Sequence, residues 1–348
     1  MAKKKAVVVG GLGIIGRSIM EAMEKEGGWD IVALSRRKPW FKTSAKFISV
    51  DLLDPEDAKD KLKGLTDTTH IFFCALSGGV EAENVAGNLA LVENSIGVIA
   101  PIAKGLRRVI LTQGGKFYGC HLGPHRTPAK ESDPRHLPPN FYYDQQDFIA
   151  KAQKGQKWDY ICVRPEAVVG YAVGIPLNTA SIVAHYAIIC REMGVPLHFP
   201  GPEQAFKIYN KFTDARILGR FQTWVAEHEK ASNEAFNITN ESGFRWCNIW
   251  PWFADYFGVK MGQVMPFNMM TMVGDKGPQW EKIVKRHNLK HNEFDLISWG
   301  FGNWNFGRTW DTILEDTKRF QHGFYEVIDM QQSFKDAFDM MRKEKVIP

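Results

Sequence analysis

The chain of 348 residues is 44% apolar, 12% aromatic and 24% charged, with a formal net charge of +5. That much apolar and aromatic content can bury a sizeable core, which excludes a disordered chain. The mild, scattered positive charge predicts no nucleic-acid partner. No uninterrupted run approaches the ~18 apolar residues of a bilayer span, so no membrane association is expected.

Short apolar runs alternate with helical stretches. Strands are predicted at residues 6–9, 31–34, 46–50, 70–75, 108–111 and 160–163. Helices are predicted at 14–26, from Asp54-Pro55 onward, at 83–96 (weakened by Gly87), at 181–191 and at 214–229. The strands are continuous rather than alternating, the pattern of a parallel sheet covered by helices on both faces. A doubly wound α/β fold follows. Residues 1–170 form the nucleotide-binding unit, with return segments around 205–240. Residues 171–348 form mainly a smaller, mostly helical substrate unit. Eight of the eleven tryptophans fall between Trp224 and Trp310, which predicts an aromatic core there and one or two rings facing a ligand. Met261, Met265, Met269, Met270 and Met272 read as adaptable lining or core.

Gly10, Gly13 and Gly16 follow the first strand and open the first helix, in GxxGxxG spacing. The first glycine permits the tight turn, the second lets backbone approach a pyrophosphate, and the third lets helix and sheet pack closely. At the end of the second strand stands Ser35-Arg36-Arg37, where NAD enzymes usually carry an acidic residue. Two guanidiniums match a phosphate dianion, which predicts NADP over NAD; the bland alternative is a pair of solvated arginines. Asp51-Leu52 ends the third strand, where an adenine ring lies in this fold. Asp51 reads either as an adenine contact or as a helix cap, and Asp54 is better placed to cap.

A short-chain reductase needs a phenol near the substrate carbonyl and a lysine beside it, usually as YxxxK. Here Tyr142 is followed four residues on by Gln146, and Tyr143 by Asp147. The site is either dead or takes its lysine from elsewhere. Lys116, directly after the fifth strand, is the candidate, because ligands of open α/β sheets bind outside the carboxyl ends of the strands. A solvated surface lysine is the competing reading. The five cysteines show no paired or zinc-type spacing, which predicts reduced thiols and a cytoplasmic location. The sequons at Asn237 and Asn240 are then accidental. No metal-ligand spacing and no GxSxG elbow is present.

In order along the chain stand GxxGxxG, Ser-Arg-Arg, Asp-Leu-Leu-Asp, Gly-x-Lys-x-Tyr-Gly, Asn-Phe-Tyr-Tyr-Asp and Arg-Pro-x-x-x-x-Gly. The set resembles the progesterone 5β-reductase and iridoid synthase-like enzymes, an atypical branch of the short-chain dehydrogenases with a Rossmann fold. The likeness continues through Phe212-Thr213-Asp214-Ala215 and Phe244-Arg245-Trp246 and covers nearly the whole chain. It implies NADPH as cofactor and 1,4-reduction of an α,β-unsaturated carbonyl compound. It puts the family lysine on Lys116, the family tyrosine on Tyr142, and a packing partner on Tyr143. It puts cofactor contacts on Leu12, Gly13, Ile14, Arg36, Arg37, Asp51, Leu52, Thr112 and Val168. Where the family has Thr-Trp after the fourth strand, this chain has Ala75-Leu76, a smaller and less aromatic cofactor-side floor. Tyr143, His185 and Tyr186 are candidates to line the substrate pocket, against the plainer reading that they pack. A homodimer is a further expectation of the resemblance. A C=O reductase and a non-catalytic NADP-sensing regulator are the competing functions.

Overall fold

Seven parallel strands form the central sheet of the computed structural model, which describes residues 4–78 and 84–348. They are β1 (Lys4–Val9), β2 (Trp29–Ser35), β3 (Lys46–Ser49), β4 (His70–Phe73), β5 (Arg108–Thr112), β6 (Asp159–Pro165) and β7 (Ala235–Ile238). Their order is β7-β6-β5-β4-β1-β2-β3. The order reverses between β1 and β4, whose pairing runs from Ala6 opposite His70 to Val9 opposite Phe73. That crevice is the switch point at which this fold binds nucleotides.

Apart from the edge strand β3, whose Lys46 and Ser49 are exposed, the strands have no solvated face. Val7, Val9, Ile71 and Leu111 point into one core with Leu91, Val92, Ile96 and Ile149. Ala6, Val8, Phe72 and Ile110 point into the other with Ile19, Met20, Leu218 and Phe221. The first layer is α2 (Pro55–Leu62), α3 (Val85–Glu93), α4 (Ile96–Ile102) and α5 (Phe141–Gln153). The opposite layer is α1 (Ile14–Glu26), packed on the helix Ala215–Val225. Asp54 caps α2 by accepting from Glu56 N and Asp57 N, with Pro55 at the first turn.

Two local expectations change. The helix expected over 83–96 is α3, which ends at Glu93, and a further helix not expected from the sequence, α4, starts at Ile96 after a break at Asn94-Ser95; residue 83 lies outside the described residues. Asn94 Nδ2 donates to Leu52 O at 2.9 Å and Ser95 Oγ to Leu91 O at 2.6 Å, so both side chains hold backbone at the break. Over Val85–Ile102 the mean hydropathy is 1.4 with a third of the window buried. This is long and apolar enough to cross a membrane, but the break divides it. The second change is β7, which pairs with β6 and returns the chain to the sheet edge. Its polar Asn237 disguises it. That side chain accepts from Tyr118 Oη at 2.6 Å and donates to Ala129 O and Glu315 O. Asn237 and Asn240 are both fully buried, which leaves neither sequon accessible in the folded chain.

A third core fills the C-terminal part. It gathers α6 (Thr179–Met193) with Trp246, Trp250, Trp280, Trp299, Phe253 and Phe338. Of the five methionines only Met269 joins this core; Met261, Met265, Met270 and Met272 are exposed.

Candidate active site

The glycine loop is built by close approach. Gly10 sits at φ +85°, and a Cβ there would lie 2.9 Å from Ala75 N. A Cβ on Gly16 would lie 2.3 Å from Gly10 O. Both contacts are with backbone, which cannot give way as a side chain does. Gly13 caps α1 without a side chain, and the first turn carries no acidic residue. The N–H groups of Ile14, Ile15 and Gly16 therefore have no intrahelical acceptor, and the positive end of the helix faces the crevice uncompensated. This cradle fits a dinucleotide pyrophosphate. Leu12 is buried beneath it.

At the edge of the crevice Arg36 and Arg37 are exposed. Ser35 Oγ accepts from Arg37 N at 3.3 Å, and Arg37 Nη1 donates to Val173 O at 3.1 Å and Gly174 O at 3.2 Å. Asp51 Oδ1 accepts from Leu53 N at 3.0 Å, while Asp51 N donates to Asp57 Oδ2 at 2.8 Å. Asp51 thus makes its own turn and leaves capping of α2 to Asp54. Leu52 is buried, Leu76 is half exposed, and Val168 pairs with Thr213. Thr112 is buried, its Oγ1 accepting from Gln222 Nε2 at 3.2 Å.

The other end of the crevice holds Lys116 and Tyr142. From Leu111 to Cys120 Lys116 is the one residue not buried. It sits on the short 3₁₀ turn Gly115–Tyr118, directly beyond β5. Tyr142 lies in the first turn of α5. A Cβ on Gly114 would lie 3.1 Å from Tyr142 Oη and 3.5 Å from Pro165 O. The phenol is therefore at the carboxyl ends of β5 and β6. Both groups lie near the Phe141 ring: Lys116 Nζ is 5.8 Å from its centre, and the Tyr142 ring is 4.3 Å away. Gln146, where YxxxK would place its lysine, accepts from Gln113 Nε2 at 3.3 Å, and Gln113 in turn accepts from Arg164 Nε at 2.8 Å. That position is occupied by an uncharged amide, which is tied through Gln113 to the Arg164 guanidinium.

Three candidate substrate residues take packing roles. Tyr143 is buried; its Oη donates to Phe117 O at 2.7 Å and accepts from His136 N at 3.0 Å. Burial pushes its phenol up, and both hydrogen-bonding roles are filled. His185 is fully buried, 4.3 Å from the Trp280 ring, with Nδ1 on Ser181 O at 2.8 Å. Tyr186 Oη donates to His198 O at 3.1 Å. For His185 and Tyr186 the cause is the aromatic C-terminal core, which closes over the helix that carries them, whereas Tyr143 packs in a separate small cluster with Phe117, Tyr118 and Leu314.

Sequence reasoning missed a buried ion pair beside this site. Glu166 follows Pro165 at the end of β6, and its Oε1 lies 3.4 Å from Arg308 Nη1. Both residues are nearly inaccessible. A Cβ on Gly115 would lie 2.0 Å from Glu166 Oε2, so the carboxylate is wedged under the turn that carries Lys116. Arg308 comes from the C-terminal part, 142 residues away. No local pattern could have paired them.

Fold and site define an oxidoreductase of the short-chain dehydrogenase class. The chain belongs to the PRISE-like Rossmann-fold domain family, whose model matches residues 49–348. It is 32% identical to a short chain dehydrogenase of Penicillium aethiopicum, over 99% of each chain. It is 30% identical to an (S)-8-oxocitronellyl enol synthase of Nepeta racemosa and 30% identical to a 3-oxo-Delta(4,5)-steroid 5-beta-reductase of Arabidopsis thaliana. Each of these two covers 99% of this chain and 93% of the relative. Among solved structures, the UDP-glucose 4-epimerase of Thermotoga maritima superposes with TM-score 0.68 at 17% identity, over 97% of this chain and 99% of that one. Another UDP-glucose 4-epimerase gives 0.72 at 12%, over 99% of each. These share the fold.

Proposed function

We propose that the protein is an NADPH-dependent ene-reductase that reduces the C=C bond of a hydrophobic α,β-unsaturated carbonyl compound. The observation that carries this reading is the meeting of Lys116 and Tyr142 around Phe141, with the phenol at the carboxyl ends of β5 and β6. The names of the enol synthase and steroid reductase relatives support it.

The uncapped start of α1 would hold the pyrophosphate, and Arg36 and Arg37 the 2′-phosphate. When bound, NADPH supplies the hydride. The protein's part is electrostatic. Tyr142 Oη donates a hydrogen bond to the substrate carbonyl oxygen, on which negative charge develops as the β-carbon is reduced. Lys116 adds positive potential at the same end. Donor and cation sit on elements fixed from below by buried β5 and β6, so little reorganisation is needed as charge builds.

The test is NADPH consumption over a panel of cyclic and acyclic enones with product analysis. A saturated ketone supports the reading and an allylic alcohol replaces it with a C=O reductase. No oxidation anywhere in the panel favours a non-catalytic cofactor sensor.

A further inference from the structure

Arg37 is anchored from across the molecule. The peptide unit between Val173 and Gly174 has its C=O accepting from Arg37 Nη1 at 3.1 Å and its N–H donating to Glu293 Oε1 at 2.6 Å. One peptide therefore joins a cation to a carboxylate. Such a chain polarises along its length: an anion on the N–H makes the carbonyl a better acceptor. The loop is shaped for this. Gly174 lies at φ +70°, and a Cβ there would lie 2.1 Å from Arg37 Nη1, so a side chain is excluded by both backbone and guanidinium. Only Nη1 is engaged; Arg37 Nε and Nη2 make no hydrogen bond among the described residues and stay available to a ligand. Glu293 is itself buried, at the start of the turn Phe294–Leu296 in the C-terminal part.

We propose that Glu293 is a positioning residue for Arg37. Through the Val173–Gly174 peptide it holds the guanidinium where the 2′-phosphate of the cofactor is read, and so sets the preference for NADPH over NADH. The inference rests on the reading of Arg37 given above. It makes cofactor choice depend on a residue 256 positions away in sequence, in the part of the chain that carries the aromatic core.

The relay has a built-in pH dependence. Burial, the largest influence, pushes Glu293 up to about 7, against the hydrogen bond from Gly174 N–H and the nearby Arg37 charge. The groups facing it are the Tyr171 hydroxyl, Arg37 and Glu344. Glu344 is paired with Arg17 of α1 at 3.1 Å. His291, two residues away, lies against Trp40. Above pH 7 the carboxylate is charged and the anchor is charge-assisted; below it the anchor weakens. The preference for NADPH over NADH therefore falls as the pH drops from 8 to 6.

The experiment titrates NADPH and NADH by fluorescence against the full-length wild type, Glu293→Gln, Glu293→Ala and Arg37→Ala. Glu293→Ala is expected to weaken NADPH about tenfold and Glu293→Gln, which keeps an acceptor for Gly174 N–H, about threefold, with NADH within about twofold in both. The wild-type preference should fall between pH 8 and 6 more steeply than that of Glu293→Gln, in which only the phosphate titrates. If Glu293→Ala does not fold, Glu293→Gln and its pH profile decide. Equal effects on both cofactors, or the same pH trend in wild type and Glu293→Gln, overturn the proposal. If Arg37→Ala weakens NADPH while the Glu293 variants do not, the proposal alone falls. If Arg37→Ala changes nothing, the phosphate reading falls and the proposal falls with it.

Discussion

Asn140 and Lys116 are joined by a side chain-to-backbone hydrogen bond: Asn140 Nδ2 donates to the Lys116 carbonyl at 2.8 Å. The same amide caps α5, its Oδ1 accepting from Tyr142 N at 3.1 Å. One fully buried side chain thus fixes the turn that presents the lysine and the helix that presents the phenol. Asn140→Ala removes both bonds. It should lower stability by about 1–2 kcal/mol, chiefly the lost cap, since the Lys116 carbonyl still accepts from Gly119 N at 3.0 Å. Turnover should fall about tenfold or more as the two groups lose register, because small misplacements at a reacting centre are costly. Asn140→Asp keeps the cap but sets a carboxylate oxygen against the Lys116 carbonyl, so it should recover helix stability without recovering turnover. Urea denaturation and steady-state kinetics on both variants separate the two contributions.

Tyr142→Phe keeps the ring against Phe141 and deletes only the hydroxyl beside Gly114. Losing one preorganised donor to a developing oxyanion typically costs about 10²–10³ in kcat. The expected result is a loss of that order with NADPH affinity unchanged, since the phenol sits at the far end of the crevice from Arg37. Stopped-flow NADPH oxidation with a reactive enone reads the chemical step directly. Wild-type rates in this variant would remove the tyrosine from the mechanism.

Glu166 and Arg308 form a pair whose members are both inaccessible, and one partner alone cannot be tolerated there. Glu166→Ala strands the guanidinium under the Trp304 ring, 4.4 Å away. Breaking a buried pair from one side costs about 3–5 kcal/mol. Replacing Glu166 and Arg308 together by Gln and Met should cost less than the single change, as no charge is then left uncompensated. A double-mutant cycle in urea measures the difference; additive losses would show that the two side chains do not act as a pair.

The sheet was legible because its strands are apolar on both faces. Val7 and Val8 go to opposite cores, so the run has no alternation to confuse with a hairpin. The glycine loop was legible because Gly10 and Gly16 each meet backbone where a Cβ would stand. What stayed hidden depends on distant partners. The strand at Asn237 looks like a loop until Tyr118 and Ala129 take its amide. Arg308 and Glu293 read as ordinary charged residues, because Glu166 and the Val173–Gly174 peptide reach them only in three dimensions. His185 sits on an apolar helix with nothing in the local pattern to say that Trp280 covers it.

Acid should unfold this protein through two buried histidines. His70 is held down to about 3, mainly by burial and then by Arg107, Arg108 and Lys4. His185 is held down to about 4, by burial alone against its bond to Ser181. Glu227 lies 3.1 Å from His70 Nε2 and would favour the charged ring, but it is 41% exposed and solvent screens it, so burial prevails. Both rings are neutral when folded, whereas the unfolded chain takes up a proton on each near pH 6.5. The unfolded state therefore binds more protons below that point, and stability falls with pH from about 6.5 toward the folded values. At pH 5 each histidine contributes a loss of about 2 kcal/mol relative to pH 8, from the gap between 6.5 and 5. Glu293, pushed up to about 7 in the folded chain, binds its proton more readily there than when unfolded and so offsets part of this loss. Urea midpoints at pH 8, 6 and 5 should therefore drop more steeply in Glu293→Gln, which lacks that offset, than in the wild type. Replacing His185 by Leu lowers the baseline through lost packing on Trp280, yet it should remove one proton's worth of the slope. A His185→Leu slope equal to that of the wild type would mean that His185 already carries its proton in the folded chain.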